Sequence, residues 1–519
     1  MRQPATGRRL RRSGLLVSCT IAAASALAAC SGAAPLSVRF DPGTWDWPSY
    51  GHDALHGFAG RTTLTESTVT KLRQAWYFPT KDAVTASPTV VGGTVYVGSW
   101  DTNFYAVDLA TGKLRWKYAL SRQDAVEPYP GEHPRPVTSD GGLVTSSAWY
   151  EPGAGRRPDL VIFGGGYTLY ALDARTGHLF WRHDYTGRPH APPDPAHDGT
   201  RIFSSPVVVD GKVVVGVDVD GARGYSGYVA AASLDTGAPV WEYQTDIDTT
   251  GRVLADGCGS VWSSGTVLAK LGLVVFDMAD CQFANPPPLA ESVFALHVSD
   301  GQLAWKYRPT RTDDQCDLDF GATANAGTDA TGQATFLGVG GKDGSYYSLD
   351  PATGALRWRT NVVFGGFSGG FIATTAYDGQ HVYGATAIGD FGRFEAAGQV
   401  FCAPGNPRDQ PMQEPSVHAF DASSGAVTWQ QVHAASFAPT TVAGGMTFNG
   451  LALNGAVVQV RDAPSGRLVT SIHLPASCWS GVTTVGDALV IGTGSSFAGQ
   501  PAGIEVLTPG GKPPIVPPL

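Results

Sequence analysis

The chain has 519 residues, a formal net charge of −9, 43% hydrophobic and only 16% charged residues, with 66 glycines and 36 prolines. That balance excludes intrinsic disorder and, with no basic stripe anywhere, a nucleic-acid partner. Length alone would allow two to four domains, but a repeat architecture can use this many residues in one closed unit.

Taken in chain order, residues 1–29 read as an export signal. Arg2, Arg8, Arg9, Arg11 and Arg12 form a basic start, and Leu15 to Ala29 then run apolar apart from Ser18, Thr20 and Ser25. That run is too short for a permanent membrane helix. Losing its five arginines takes the formal charge from −9 to −14. The run ends Leu27-Ala28-Ala29-Cys30, which resembles a bacterial lipobox. Cys30 would then carry lipid and residues 30–44 would tether the protein to the outer face of a membrane, its only membrane contact. Ordinary cleavage with Cys30 incidental is the alternative. Export permits disulfides among Cys258, Cys281, Cys316, Cys402 and Cys478, and three of these lie between 258 and 316, where a bridge is expected. The odd number leaves a thiol over.

From residue 45 to 508 one phrase recurs. Tyr105-Ala-Val-Asp-Leu-Ala-Thr-Gly-Lys-Leu-Arg-Trp116 returns as residues 170–181 and 347–358, more loosely ending at Trp241, Trp305 and Trp429, and in worn form over 458–472. Before most copies stands an alternating strand pair around a Gly turn, as in 87–98 and 205–216. Each unit therefore predicts four antiparallel strands, with Gly of the Thr-Gly step at a positive-φ turn position. Trp would fill the space between neighbouring units. One such sheet cannot bury both faces, and radial stacking into a β-propeller solves that. A last unit, 481–508, lacks its own Trp strand, and residues 72–78 around Trp76 are expected to supply it and close the ring. The count is eight blades, with seven the alternative. Long Pro- and Gly-rich insertions fall at 121–140, 151–159, 186–203 and 390–416, and 509–519 reads as a loose Pro-rich tail.

The phrase, together with Trp47-Pro-Ser-Tyr-Gly-His-Asp53, resembles the repeat and N-terminal signature of the pyrroloquinoline quinone (PQQ) dehydrogenases, eight-bladed quinoproteins. The resemblance implies PQQ and Ca²⁺ as cofactors. Non-catalytic propeller lipoproteins of the outer-membrane assembly machinery share the repeat, so the resemblance speaks to fold more than to catalysis.

Four residues fall where the resemblance puts cofactor contacts. Trp262 matches the ring-stacking tryptophan, with another core aromatic as the bland alternative. Asp280 falls where relatives carry an Asn that ligates Ca²⁺, or it is a turn residue. Asp317, in Asp314-Gln-Cys-Asp-Leu-Asp-Phe-Gly321, matches the segment of the catalytic base and would also face the metal. Asp319 could equally be the working carboxylate, and the segment could be a plain Asp-rich turn. Lys342 matches the basic contact to the quinone carbonyls, or it is a solvated lysine in a hairpin.

Several departures cut the other way. There is no adjacent Cys pair, Ala222 stands where a Ca²⁺-ligating Glu is expected, so that Asp218 or Asp220 would have to reach, and Ala373 stands where a Trp is frequent. No Cys-x-x-Cys-His encodes a haem, so electrons would leave to a separate acceptor. Gly366-Phe-Ser-Gly-Gly370 matches Gly-x-Ser-x-Gly, yet a nucleophile elbow needs a strand-to-helix turn, and His133, His190 and His197 lack zinc-ligand spacing. The reading is an exported dehydrogenase of alcohols or polyols, similar to polyvinyl alcohol dehydrogenase-type quinoproteins. Its rival is a non-catalytic scaffold that binds envelope proteins, and a glycan-sensing module comes third.

Overall fold

The computed structural model describes residues 45–120, 144–188, 200–219, 223–279, 281, 286–309, 318–363, 365–366, 369–387, 401–402, 415–432, 435–451, 456–494 and 501–517. Cys30, Asp280, Cys316 and Asp317 fall outside the described residues, as does Ala222. No helix among the described residues is long and apolar enough to cross a membrane.

Eight blades of four antiparallel strands make one all-β propeller, which settles the blade count at eight. Blade 1 runs Thr89–Val91, Thr94–Gly98, Asn103–Asp108 and Leu114–Ala119, from the axis outward. Blade 8 takes three strands from the C-terminal end, Thr483–Val485, Ala488–Thr493 and Ala502–Pro509. Its outermost strand is Leu72–Thr80, paired antiparallel with Ala502–Pro509 in the register Leu72↔Pro509 to Thr80↔Ala502. The ring is thus closed by both ends of the chain, as the missing Trp strand requires.

One interaction recurs at seven of the seams between blades. The indole N–H of the outer strand donates to a backbone carbonyl of the next blade: Trp76 to Leu109, Trp116 to Ala174, Trp181 to Leu234, Trp241 to Val298, Trp305 to Pro351, Trp358 to Ala422 and Trp429 to Ala463, all at 2.8–3.2 Å. Each ring lies against the glycine of the next blade's outer turn, in a Thr-Gly step for Gly112, Gly177, Gly237 and Gly354 and after Asp or Ser for Gly301, Gly425 and Gly466. That glycine has φ between 68° and 75°, and a Cβ there would meet the indole at 2.3–2.7 Å. Glycine is therefore required twice over, for its left-handed backbone and for its missing side chain.

The eighth seam, between blades 7 and 8, is different. Thr470 pairs with Val460 just as Trp429 pairs with Ala419, so Thr stands in the Trp position. Glu505, on blade 8, sits beside Val506 as Tyr105 sits beside Ala106.

The N-terminal segment seals one end of the axis. Trp47 exchanges both backbone hydrogen bonds with Val90 of blade 1, and Pro48, Ala54, Leu55, Gly57 and Phe58 accept from the inner strands of blades 2, 4, 5, 6 and 7, while Thr63 donates to Gly486 of blade 8. The segment spends its backbone groups on almost the whole ring, one blade after another. The C-terminal tail is not loose: Ile515 donates to the Asp487 carboxylate at 2.6 Å, and its carbonyl accepts from Asp487 N–H at 3.2 Å.

Two outcomes follow from the seams. Trp241→Phe keeps the ring and deletes its N–H, and should cost about 1–2 kcal/mol in thermal unfolding, whereas Trp262→Phe, in no seam, should not lower the melting temperature. Burial pushes the Glu505 carboxyl up to about 7. Its contribution to stability is full below the unfolded-state carboxyl value and is lost as the pH rises to about 7. Glu505→Gln should therefore match the wild type at pH 5 and exceed it at pH 8 by about 2 kcal/mol, read as melting temperature against pH.

Candidate active site

Blade 4 runs Thr266–Leu268, Leu273–Asp277, Val293–His297 and Leu303–Tyr307, and blade 5 runs Asn325–Thr328, Ala334–Gly340, Ser345–Leu349 and Leu356–Asn361. Where the chain enters the inner strands it passes the axis, and in blades 1 to 5 and 8 the residue two positions before that strand takes part in a belt of hydrogen bonds. The N–H of Ser87 donates to the Ser147 hydroxyl, Ser147 to Ser205, Ser205 to Ser264 and Ser264 to Thr323, at 2.9–3.0 Å, and Gly481 N–H donates to Ser87 at 2.8 Å.

Four positions before the inner strand stand Thr85, Thr145, Phe203, Trp262, Gly321, Ile372, Phe437 and Trp479, one from each blade, and all of them line an axial cavity of about 150 Å³. Trp262 therefore breaks the phase of the seam tryptophans because it holds a different repeat position, the one that faces the axis. Phe437 and Trp479 stack on each other with centroids 4.8 Å apart. Ala373, where relatives often carry Trp, lines the same cavity. Tyr50, from the N-terminal segment, borders the cavity and bonds to the Thr374 hydroxyl at 2.8 Å. Burial raises its hydroxyl to about 12, so it stays neutral at ordinary pH.

Trp262 is held from behind. Cys258 and Cys281 form a disulfide that ties its segment to the loop after Leu273–Asp277, as expected for a bridge in this region. Ser263 beside it bonds both the N–H and the carbonyl of Asp277, at 3.1 and 3.2 Å. The segment also presses on blade 3, where a Cβ at Gly227 would lie 2.1 Å from the Gly259 carbonyl. Cys478 is a free, buried thiol.

Lys342 does stand in a hairpin turn of blade 5, but it is not solvated. Only 7% of it is exposed, and its ammonium lies against Trp262. Its Nζ lies 2.8 Å from Asp319 Oδ1 and 5.4 Å from the centre of the Trp262 ring, and its backbone N–H donates to the Asp319 carbonyl at 2.8 Å. A second carboxylate fixes the turn: Asp343 accepts from Ser345 N–H and from Arg359, each at 3.0 Å, and from the Tyr347 hydroxyl. Gly365 and Gly370 back onto the same turn, where a Cβ would meet the Lys342 carbonyl at 2.3 Å and the Gly341 carbonyl at 2.6 Å. That close approach accounts for the Gly-rich run that mimics Gly-x-Ser-x-Gly.

The sequence reading missed Asp277. It ends the second strand of blade 4, is 1% exposed, and neither carboxylate oxygen has a hydrogen-bond partner among the described residues. Burial first, then the neighbouring Asp319, drives its carboxyl well above the usual range, while Ser263 and Lys342 oppose the shift. The structure thus brings Trp262, Lys342, Asp319 and Asp277 together: an indole face and one ammonium against two buried acids. With one ammonium for two buried carboxyls Asp277 is driven toward its neutral form, and only a further cation would let both ionise; oxygen donors of this kind suit a hard divalent one.

Comparison with known proteins agrees with this architecture. A family profile described as glucose/ethanol/alcohol dehydrogenase, β-propeller domain, matches residues 47–362, and one for the outer membrane protein assembly factor BamB matches 342–501. A polyvinylalcohol dehydrogenase from Pseudomonas sp. is 23% identical over 393 residues, covering 68% of this chain and 56% of its own. The chain thus spans just over half the length of such curated relatives. Among solved structures, a quinohemoprotein alcohol dehydrogenase from Pseudomonas putida HK5 superposes with a TM-score of 0.71 at 19% identity, covering 92% of this chain and 82% of that one. BamB from Moraxella catarrhalis gives 0.53 at 14% identity, covering 84% and 99%. With a profile match over more than half its length and the eight-bladed ring in place, the chain belongs to the PQQ β-propeller family of glucose, ethanol and alcohol dehydrogenases.

Proposed function

We propose that this protein is a PQQ- and Ca²⁺-dependent dehydrogenase of alcohols or polyols, exported and held at the outer face of a membrane through lipid on Cys30. The observation that carries the reading is the convergence of Trp262, Lys342, Asp319 and Asp277 on one buried point at the axis. The groups fit the cofactor chemically. Trp262 offers a flat face, Lys342 a cation for quinone and carboxylate oxygens, and Asp277 two oxygens without hydrogen bonds that a Ca²⁺ ion would engage. When bound, the quinone accepts the hydrogen and electrons released from the alcohol carbon.

The chain's own residues do the rest. Asp319 positions the Lys342 ammonium through their 2.8 Å ion pair. By resemblance, Asp317 takes the hydroxyl proton of the substrate as general base and Asp280 and Asp317 add metal ligands. Tyr50 and the hydroxyl belt close the far side of the cavity and limit water there. Electrons pass to a separate acceptor, since the sequence has no Cys-x-x-Cys-His. The Cys258–Cys281 bridge suits an oxidising compartment. A scaffold role is the second reading, favoured by the BamB profile match over 342–501.

Titrating the protein with PQQ, with and without Ca²⁺, should give a saturable change in the quinone absorption band and Ca²⁺-dependent dye reduction with alcohols. Lys342→Gln should lower turnover by about 10²-fold or more, and Trp262→Ala should weaken PQQ loading by about tenfold. Neither band shift nor dye reduction in the wild type would end the enzyme reading, and envelope partners retained by Lys342→Gln and Asp319→Asn would support the scaffold. In the cofactor-free protein, Asp277 stabilises only while protonated, so its contribution is lost as the pH rises through its elevated folded value. Asp277→Asn should therefore raise the melting temperature at pH 8, not at pH 4, while weakening Ca²⁺-dependent loading.

A further inference from the structure

The seam between blades 7 and 8 lacks two aromatic groups at once. Elsewhere the outer strand brings a Trp and, two residues on, commonly a second ring that meets an aromatic of the next blade. Phe78 meets Tyr105 at 5.4 Å, Tyr118 meets Tyr170 at 5.8 Å, Tyr243 meets Phe294 at 6.3 Å and Tyr307 meets Tyr347 at 6.0 Å. At the eighth seam the corresponding residues are Thr470 for the Trp, then Ile472 facing Glu505. At this seam a cavity of about 430 Å³ reaches the surface and is bordered by Thr470, Ile472, Leu72 and Glu505.

Glu505 makes this more than a packing defect. The residue is 3% exposed, and its Oε2 has no hydrogen-bond partner among the described residues. A buried carboxylate oxygen without a hydrogen bond is costly, and a cation that enters the cavity removes that cost. Arg73 does not fill the role, since its guanidinium donates to the Leu72 carbonyl at 2.6 Å, and His473 stays exposed at the rim.

We propose that this seam is a binding site for a small aromatic amine, its ring lying where the missing indole would dock and its protonated nitrogen on Glu505. The space accepts a flat bicycle because the other seams hold one between equivalent strands. The carboxylate selects an ammonium over a neutral or anionic ring. None of these residues touches the axial site, so the result is independent of the catalytic reading.

Calorimetric titration of the full-length protein with tryptamine at pH 8 tests the site, with indole and indole-3-acetate as matched probes. Tryptamine should bind with a dissociation constant on the order of 10⁻⁴ M, more tightly than indole, and indole-3-acetate should not bind. Glu505→Gln should weaken tryptamine by about tenfold and leave indole unchanged. Thr470→Trp should abolish binding and raise the melting temperature by supplying the eighth indole. No heat with tryptamine, equal affinity for indole-3-acetate, or unchanged binding in a folded Thr470→Trp variant would overturn the proposal.

Discussion

The ring is held together by a flat indole pressed onto a residue that has no side chain. At seven of the eight seams the Trp N–H reaches a carbonyl of the next blade, and the ring face covers a glycine whose left-handed backbone no larger residue would adopt without strain. Because the same contact recurs, neighbouring blades meet in a near-constant way, and that repetition brings the ring to closure. Apolar burial glues the blades together, but it is the indole–glycine contact that makes one docking geometry better than its alternatives.

Closure in turn decides what faces the axis. Positions two and four residues before each inner strand arrive there whatever their chemistry, so the same backbone supplies a belt of hydroxyls and, one turn of the segment away, a collar that ranges from Gly321 to Trp262 and Trp479. The candidate site uses this freedom. Trp262 stands on the collar of blade 4, Asp277 ends the adjoining strand, and Lys342 comes from the hairpin of blade 5 with Asp319 beside it. Two acids and a single ammonium are brought into so dry a place by the surrounding ring, and Asp277 meets the want of a second cation by favouring its neutral form.

How much of this was legible in the residues depends on which signal carries it. The blades were readable because Asp-x-x-Thr-Gly followed by Trp is a periodic signal, and the closing strand was readable because one unit lacked its Trp and a spare lay at the other end of the chain. Trp262 and Lys342 were found through family resemblance, and Asp319 was seen as a possible alternative to Asp317. Asp277 was not found, because in a run of Val-Val-Phe-Asp it reads as an ordinary strand end, and only the fold shows its carboxylate turned inward. Phe437 and Trp479 were overlooked for another reason. Units aligned on the Trp phrase hide them, whereas alignment on the inner strand places both in register with Trp262. The eighth seam was likewise visible as a worn repeat, but a substitution of Trp by Thr does not reveal that Glu505 faces it.

The way residues 47–80 are used has a consequence for how the molecule is born. This early segment of the chain contributes hydrogen bonds to seven blades and the outer strand of the last. Val90 and Tyr150 follow early, but the other partners, from Val267 to Pro509, do not exist until half or more of the polypeptide has been made. Early intermediates must therefore carry an unsatisfied leading segment and an open sheet edge, which favours slow, late assembly and reliance on holding chaperones until the terminal residues arrive.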